Sequence, residues 1–135
     1  MAVQEISVYI TLDQYGQTEI TVDQPWAGVH SGSPVMWDFH CVDPRVQWAQ
    51  IEFQAGSNFF KGRGNSHGTT RYTQLNGGHG EILGTAPELP PQNGQPKSAN
   101  AKYWVRVFSD NTNNYPPAAA TELQHLDPNI IVCDP

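Results

Sequence analysis

Apolar and polar residues alternate along most of the patterned stretches of this chain. In "EISVYITL", the apolar residues Ile6, Val8 and Ile10 fall on one face of an extended segment. This period of two is typical of a strand that is buried on one side. The segment "QTEITV" follows a turn that contains Gly16, so residues 4 to 22 predict a β-hairpin.

A second alternation lies in "PVMWDFHC", where Val35, Trp37 and Phe39 share a predicted inward face. Neighbouring residues of a strand face opposite sides of the sheet, so Cys41 continues the inward face and His40 points outward. The adjacent histidine and cysteine therefore predict a core thiol beside a surface imidazole, and not a shared metal site.

The remaining patterned stretches predict further strands and one short helix. The phase of "VQWAQIEF" changes at Trp48 and Ala49, which predicts a β-bulge. The stretches "KYWVRVF" and "NIIVC" predict two late strands, and the second is apolar on both faces, as expected of a central strand. Prolines and glycines in residues 25 to 34 predict a break in the chain, and "AAATELQHL", residues 118 to 126, predicts a short helical turn.

Residues 56 to 100 are rich in glycine and proline and predict a long irregular excursion, in which only "TRYTQL" and "GEIL" are strand candidates. A long loop in a compact domain usually carries function, so we expect this segment to cover one end or face of the sandwich and to carry the main contact surface. The full length of 135 residues predicts a single domain, residues 1 to 135. The fold class that the patterns predict is an all-β, Greek-key β-sandwich of about seven strands.

Charge and composition exclude several classes of partner. Seven Lys and Arg residues against 13 Asp and Glu residues give a net charge of -6, which repels nucleic acid and anionic lipid. No stretch approaches the roughly 20 apolar residues of a membrane helix, and "MAVQEISVYI" lacks the features of a signal peptide. We therefore expect a soluble cytoplasmic protein in which Cys41 and Cys133 are thiols, with a single disulfide as the alternative in an oxidising compartment.

Candidate catalytic chemistry is sparse. His67 and His79 lie in the glycine-rich excursion, where Glu81 or Asp110 would complete a metal site. Loop histidines are more often solvated, and their spacing matches no motif with a mechanism. No G-x-S-x-G elbow is present in the sequence, and "GRGNSHG" lacks the ending of a phosphate-binding loop. We predict no catalytic residues and no cofactor, with a metal-binding protein or metalloenzyme using His67 and His79 as the alternative.

Four aromatic residues in predicted loops form the best candidate binding surface: Trp26, Phe59, Phe60 and Tyr115. Exposed aromatic side chains flanked by Asn, Gly and Pro are typical of contact surfaces for proteins or carbohydrates. Each of them would otherwise tuck under its own loop as part of a satellite core. Trp26 and Tyr115, together with nearby amides, are the residues expected to serve a carbohydrate-binding module.

The order of "GSPVMWDF", "VQWAQIEF", "KYWVRVF" and "LDPNIIV" resembles the cupredoxin-like β-sandwich. It is also similar to small bacterial domains of uncharacterised function that end in Leu-Asp-Pro-x-Ile-Ile-Val. The resemblance spans residues 30 to 54 and 101 to 135 and implies a cupredoxin-like or immunoglobulin-like sandwich. Blue-copper proteins place a His, a Cys and a second His late in the chain. Here only His125 and Cys133 occur late, in the wrong order, so we expect no type-1 copper.

These observations together predict a copper-free β-sandwich that acts as a non-enzymatic binding or self-assembly module. Its partner is expected to be another protein or a second copy of the chain, joined through loop aromatics or an exposed strand edge. A carbohydrate is the alternative ligand. Nucleic acid and membrane are not expected partners.

Overall fold

Ten β-strands make up the regular structure of the computed structural model, which describes residues 3–54, 59–60, 70–88, 98–109 and 121–133. The strands are β1 (Gln4–Leu12), β2 (Thr18–Val22), β3 (Trp26–His30), β4 (Pro34–Cys41), β5 (Trp48–Phe53), β6 (Thr70–Gln74), β7 (His79–Thr85), β8 (Ser98–Ser109), β9 (Thr121–Leu126) and β10 (Asn129–Cys133). These ranges contain no helix. The predicted all-β class is confirmed.

The first sheet has four strands in the order β2-β1-β4-β7. Strands β1 and β2 pair antiparallel, which confirms the predicted hairpin. Its turn is closed by Asp13, whose carboxylate accepts hydrogen bonds from the backbone amides of Tyr15 at 2.8 Å and Gln17 at 2.9 Å. Gly16 adopts a φ of 76° there, in the left-handed region that favours glycine. Strand β4 then pairs parallel with β1 and antiparallel with β7.

The second sheet has the order β3-β10-β8-β5-β6, and β9 also pairs with β8. Strand β8 is 12 residues long and is the centre of this sheet. Its first part pairs with β10, its second part pairs with β9, and β5 lies along its other edge. The placement of β10 between β3 and β8 confirms that "NIIVC" is a central strand.

The predicted β-bulge is wrong. The β-bulge expected at Trp48 and Ala49 is absent from β5, which pairs in continuous register with both β6 and β8. Both residues are buried because β5 is covered on both faces at its start, so the change of phase needs no bulge. A register shift occurs instead between Val107 and Phe108, in the pairing of β8 with β9.

The predicted helical turn over residues 118 to 126 is also wrong for the residues that the structure describes. Residues Thr121–Leu126 form β9, which pairs antiparallel with β8. The alanine-rich sequence favours a helix locally, but pairing with the long β8 satisfies the backbone hydrogen bonds of this segment. Residues 118 to 120 lie outside the described residues.

The strand candidates in the glycine-rich region are confirmed, and each belongs to a different sheet. "TRYTQL" contains β6, which pairs with β5, and "GEIL" lies in β7, which pairs with β4. The expected irregular excursion of residues 56 to 100 is therefore interrupted by two strands. Residues Trp26–His30, predicted to be a break, form β3. The described residues thus contain ten strands and not about seven.

The two sheets pack face to face as a β-sandwich around one cluster of buried side chains. The predicted inward residues Val35, Trp37 and Phe39 are all fully buried. Trp37 lies at the aromatic centre of the core, where its ring makes edge contacts with Phe53, whose ring centroid is 5.8 Å away, and with Tyr103, at 5.7 Å. Alternation along strand β4 thus correctly predicts which of its residues fill the core.

Candidate functional site

The structure separates the four aromatic residues of the predicted binding surface. Phe59 and Phe60 are 2% and 1% exposed and pack against Trp37, so their predicted exposure is wrong. Their rings complete the aromatic core beside Trp37. Tyr115 lies outside the described residues. Trp26, in contrast, is 62% exposed on β3.

Trp26 projects from the outer face of the second sheet, where strands β3, β10 and β8 lie side by side. We call the group around it the Trp26 surface: Trp26, Gly28, Asn100, Lys102, Asn129 and Ile131. Asn129 on the middle strand pairs with Trp26 on β3 and with Lys102 on β8. These three residues therefore form one row across the sheet, with Asn129 in the middle. Ile131 joins Gly28 and Asn100 in the next row. The rows place the indole ring next to the Asn129 amide, and the Asn100 amide lies two strands away in the next row.

The Trp26 surface is flat beside the indole and has little uncompensated charge. Gly28 has no side chain, and a Cβ atom placed there would meet nothing within 4 Å. The Nζ atom of Lys102 lies 3.0 Å from the Oδ2 atom of Asp127. The hydrogen bond and charge of Lys102 lower the pKa of the Asp127 carboxyl.

The outer face of the first sheet carries a second group of polar side chains, which we call the histidine face: Tyr9, Asp38, His40, His79 and Glu81. Tyr9, His40 and His79 are neighbours in register across β1, β4 and β7. The Tyr9 and His40 rings stack with centroids 5.2 Å apart and an interplanar angle of 19°. The His40 and His79 rings meet edge to face at 5.5 Å.

The histidine face gives His79 a neighbour that the sequence did not predict. The sequence paired His79 with His67, which lies outside the described residues. The structure instead brings His40 beside His79, because β4 and β7 are paired in the register that places these two residues opposite each other. Sequence reasoning identified His40 as outward-facing but could not find this neighbour, because the register of two distant strands is not visible in a local pattern.

His40 and Cys41 point to opposite sides of β4, as predicted. Cys41 is half-buried and packs against the core, where its thiol donates a hydrogen bond to the backbone oxygen of Asp43 at 3.3 Å. Burial raises the pKa of the Cys41 thiol and so disfavours the reactive thiolate. Cys41 and Cys133 are both free thiols. No group of three or more His, Cys, Asp or Glu side chains in the described ranges is arranged to hold a metal ion.

A shallow pocket of about 280 Å³ opens next to Cys41, between the Asp43–Pro44 turn and the Gly77–Gly78 turn. Asp43 lines this pocket and is only 2% exposed. Thr18 donates a hydrogen bond to the Asp43 carboxylate at 2.7 Å, and the Arg45 guanidinium donates two more at 3.0 and 2.9 Å. These bonds, with those of Arg45 the strongest cause, lower the pKa of Asp43 from 3.8 to about 2. The hydrogen bonds of Asp43 thus fix this side of the pocket in place.

Replacing Asp43 by asparagine is expected to destabilise the fold at pH 7 by about 1–2 kcal/mol, since one pKa unit is worth about 1.4 kcal/mol and water screens the half-exposed Arg45. The folded-state pKa of Asp43 lies below its ordinary value, so its stabilisation is present above about pH 4 and is lost as the pH falls towards 2. Urea unfolding of the wild type and Asp43→Asn should therefore converge in acid. Asp127→Asn, at an exposed ion pair, is the matched control and should change little.

No protein-family model matches the sequence of this chain, and no curated protein sequence is significantly similar to it. Within the described ranges, no helix is long and apolar enough to cross a membrane. The functional interpretation therefore depends on the geometry of the exposed surfaces.

Proposed function

We propose that this protein is a non-enzymatic binding or self-assembly module whose contact surface is the Trp26 surface. The observation that carries the proposal is the 62% exposure of Trp26 on a sheet face whose neighbouring position is a glycine. A large aromatic side chain that stays in water forgoes the stabilisation that burial would give. Tryptophan is also among the residues that contribute most to binding at interfaces.

The favoured partner is a second copy of this chain, with another protein as the broader form of the proposal. Strand β3, which carries Trp26, is the terminal strand of its sheet among the described residues. Terminal strands offer backbone groups that pair readily with another chain. The compensated charge of Lys102 and the flat region at Gly28 also favour contact with an equally flat, weakly charged surface.

The proposal extends to the kind of sandwich and its setting. We place the chain with Greek-key sandwiches of the cupredoxin-like or immunoglobulin-like kind, without copper, and in the cytoplasm. Support comes from the resemblance of residues 30 to 54 and 101 to 135 and from the crossing of the chain between sheets: β2 and β4 belong to the first sheet, whereas β3 and β5 belong to the second. The two free thiols, Cys41 and Cys133, are in keeping with a reducing compartment.

A carbohydrate is the second candidate ligand, favoured by the amides around the indole. Asn129 is the register neighbour of Trp26, and Asn100 lies in the next row, two strands away. An indole face packs well against the apolar face of a sugar ring, and each amide can both donate and accept hydrogen bonds with hydroxyl groups. The same Trp26 surface would serve this ligand.

The test compares Trp26→Ala with Tyr15→Ala, a control at an aromatic residue that is 79% exposed on the β1–β2 turn. Sedimentation velocity over a range of protein concentrations measures self-association. We expect Trp26→Ala to weaken self-association about 30-fold, the effect of an interface residue worth about 2 kcal/mol, and Tyr15→Ala to leave it unchanged. Neither variant should alter the unfolding temperature.

A glycan array, followed by titration of tryptophan fluorescence, tests the carbohydrate candidate on the same proteins. Glycan binding that Trp26→Ala abolishes, without self-association in the wild type, would select the carbohydrate. If the wild type self-associates and Trp26→Ala does so equally well, the contact surface lies elsewhere. A monomeric wild type that binds no glycan would count against both forms of the proposal.

A further inference from the structure

The histidine face brings two imidazole rings close together, independently of the Trp26 surface. His40 and His79 lie opposite each other on antiparallel strands, and their ring centroids are 5.5 Å apart. A tetrahedral Zn²⁺ ion bound by two imidazoles at about 2.0–2.1 Å holds the two ring centres about 5 Å apart. The separation of the two rings is thus close to the one that two such ligands require.

Asp38 gives the histidine pair a feature common in metal sites. Its Oδ2 atom lies 3.1 Å from the Nε2 atom of His40, two residues along the same face of β4. A histidine that binds a metal usually donates its other ring nitrogen to a carboxylate, which orients the ring and increases its basicity. Because Asp38 lies at Nε2, Nδ1 is the ring nitrogen of His40 that is left to bind a metal ion. Tyr9 stacks on the same ring and restrains it further.

We propose that His40 and His79 form a surface site for one divalent transition-metal ion, with Asp38 as the residue that positions His40. The two imidazoles are the protein ligands of this ion, and water fills the remaining coordination positions. Imidazole nitrogen suits Zn²⁺, Ni²⁺ and Cu²⁺, whereas Mg²⁺ and Ca²⁺ prefer oxygen ligands. The carboxylates of Asp38 and Glu81, adjacent in register, favour the approach of a cation.

Calorimetric titration of tag-free protein with Zn²⁺ and with Ni²⁺ tests the site. We expect one ion per chain, and each of His40→Ala and His79→Ala should weaken binding about tenfold or more. Asp38→Asn should weaken binding about 10- to 100-fold, the range found for residues that orient a metal ligand. The matched controls are His30→Ala and His125→Ala, which remove exposed histidines from other strands and should leave binding unchanged.

Visible absorption of bound Co²⁺ provides a second readout, because the spectrum reports the ligands directly and does not depend on any activity. The wild-type spectrum should be lost in His79→Ala, whose exposed side chain can be removed without loss of core packing. Absence of binding by all three ions would overturn the proposal. It would also be overturned if His67→Ala abolished binding while His40→Ala did not, since the ion would then belong to a His67–His79 pair.

Discussion

Replacement of Trp37 by alanine is expected to destabilise the fold by about 3–5 kcal/mol, the range found for large aromatic residues removed from protein cores. Trp37 is fully buried. Its ring makes edge contacts with Phe53 from β5, with Tyr103 from β8 and with the Phe59–Phe60 pair. The substitution would leave a cavity at the point where both sheets and a loop meet, and so many neighbours cannot all move to fill it.

Urea unfolding followed by far-UV circular dichroism measures this loss. A domain of ordinary stability has about 5–15 kcal/mol in total, so Trp37→Ala should unfold at a much lower urea concentration or remain partly unfolded in water. Trp26→Ala is the matched control, because it makes the same chemical change at a residue that is 62% exposed. Equal unfolding midpoints for the two variants would show that Trp37 does not lie at the centre of the core.

Replacement of Gly78 by alanine is expected to cost about 2–5 kcal/mol, which combines a left-handed backbone with an overpacked contact. Gly78 has a φ of 82° and approaches β4 so closely that an added Cβ atom would collide with the backbone oxygen of Cys41. The Gly78 oxygen also accepts a hydrogen bond from the Cys41 amide at 2.8 Å. The backbones of Gly78 and Cys41 cannot move apart without breaking the hydrogen bond between them or the pairing of β4 with β1 and β7.

The adjacent Gly77 provides the control for backbone conformation alone. Its φ is 62°, and a Cβ atom there would meet nothing within 4 Å. Gly77→Ala should therefore lose only about 1–2 kcal/mol, the cost of a non-glycine residue in the left-handed region. Thermal unfolding of the two variants separates the effects. A smaller loss for Gly78→Ala than for Gly77→Ala would contradict the close approach of this turn to β4.

Residues whose environment depends on nearby sequence were predicted well. The alternation of Val35, Trp37 and Phe39 indicated the buried face of β4, and it also indicated that His40 and Cys41 face opposite ways. The period of two follows from the geometry of a single strand, in which successive side chains leave opposite faces. A local pattern is therefore sufficient to predict it.

Residues whose environment depends on distant partners were not predicted. Thr121–Leu126 has the composition of a helix. It pairs with β8 instead, because the backbone groups along that part of β8 take a strand as their hydrogen-bonding partner. Phe59 and Phe60 lie in a glycine-rich segment that suggested exposure, yet they complete the packing around Trp37. In both cases the free energy gained from tertiary contacts outweighs a weaker local preference.

The candidate sites show the same division. The sequence alone indicated that Trp26 was available for binding and that His79 was a potential metal ligand, because residue type and local context determine both expectations. Only the tertiary structure decided that Asn129 lies between Trp26 and Lys102 and that His40 lies beside His79. Such neighbours depend on strand order and register, which are set by packing of the whole sandwich and by loops between strands far apart in the chain.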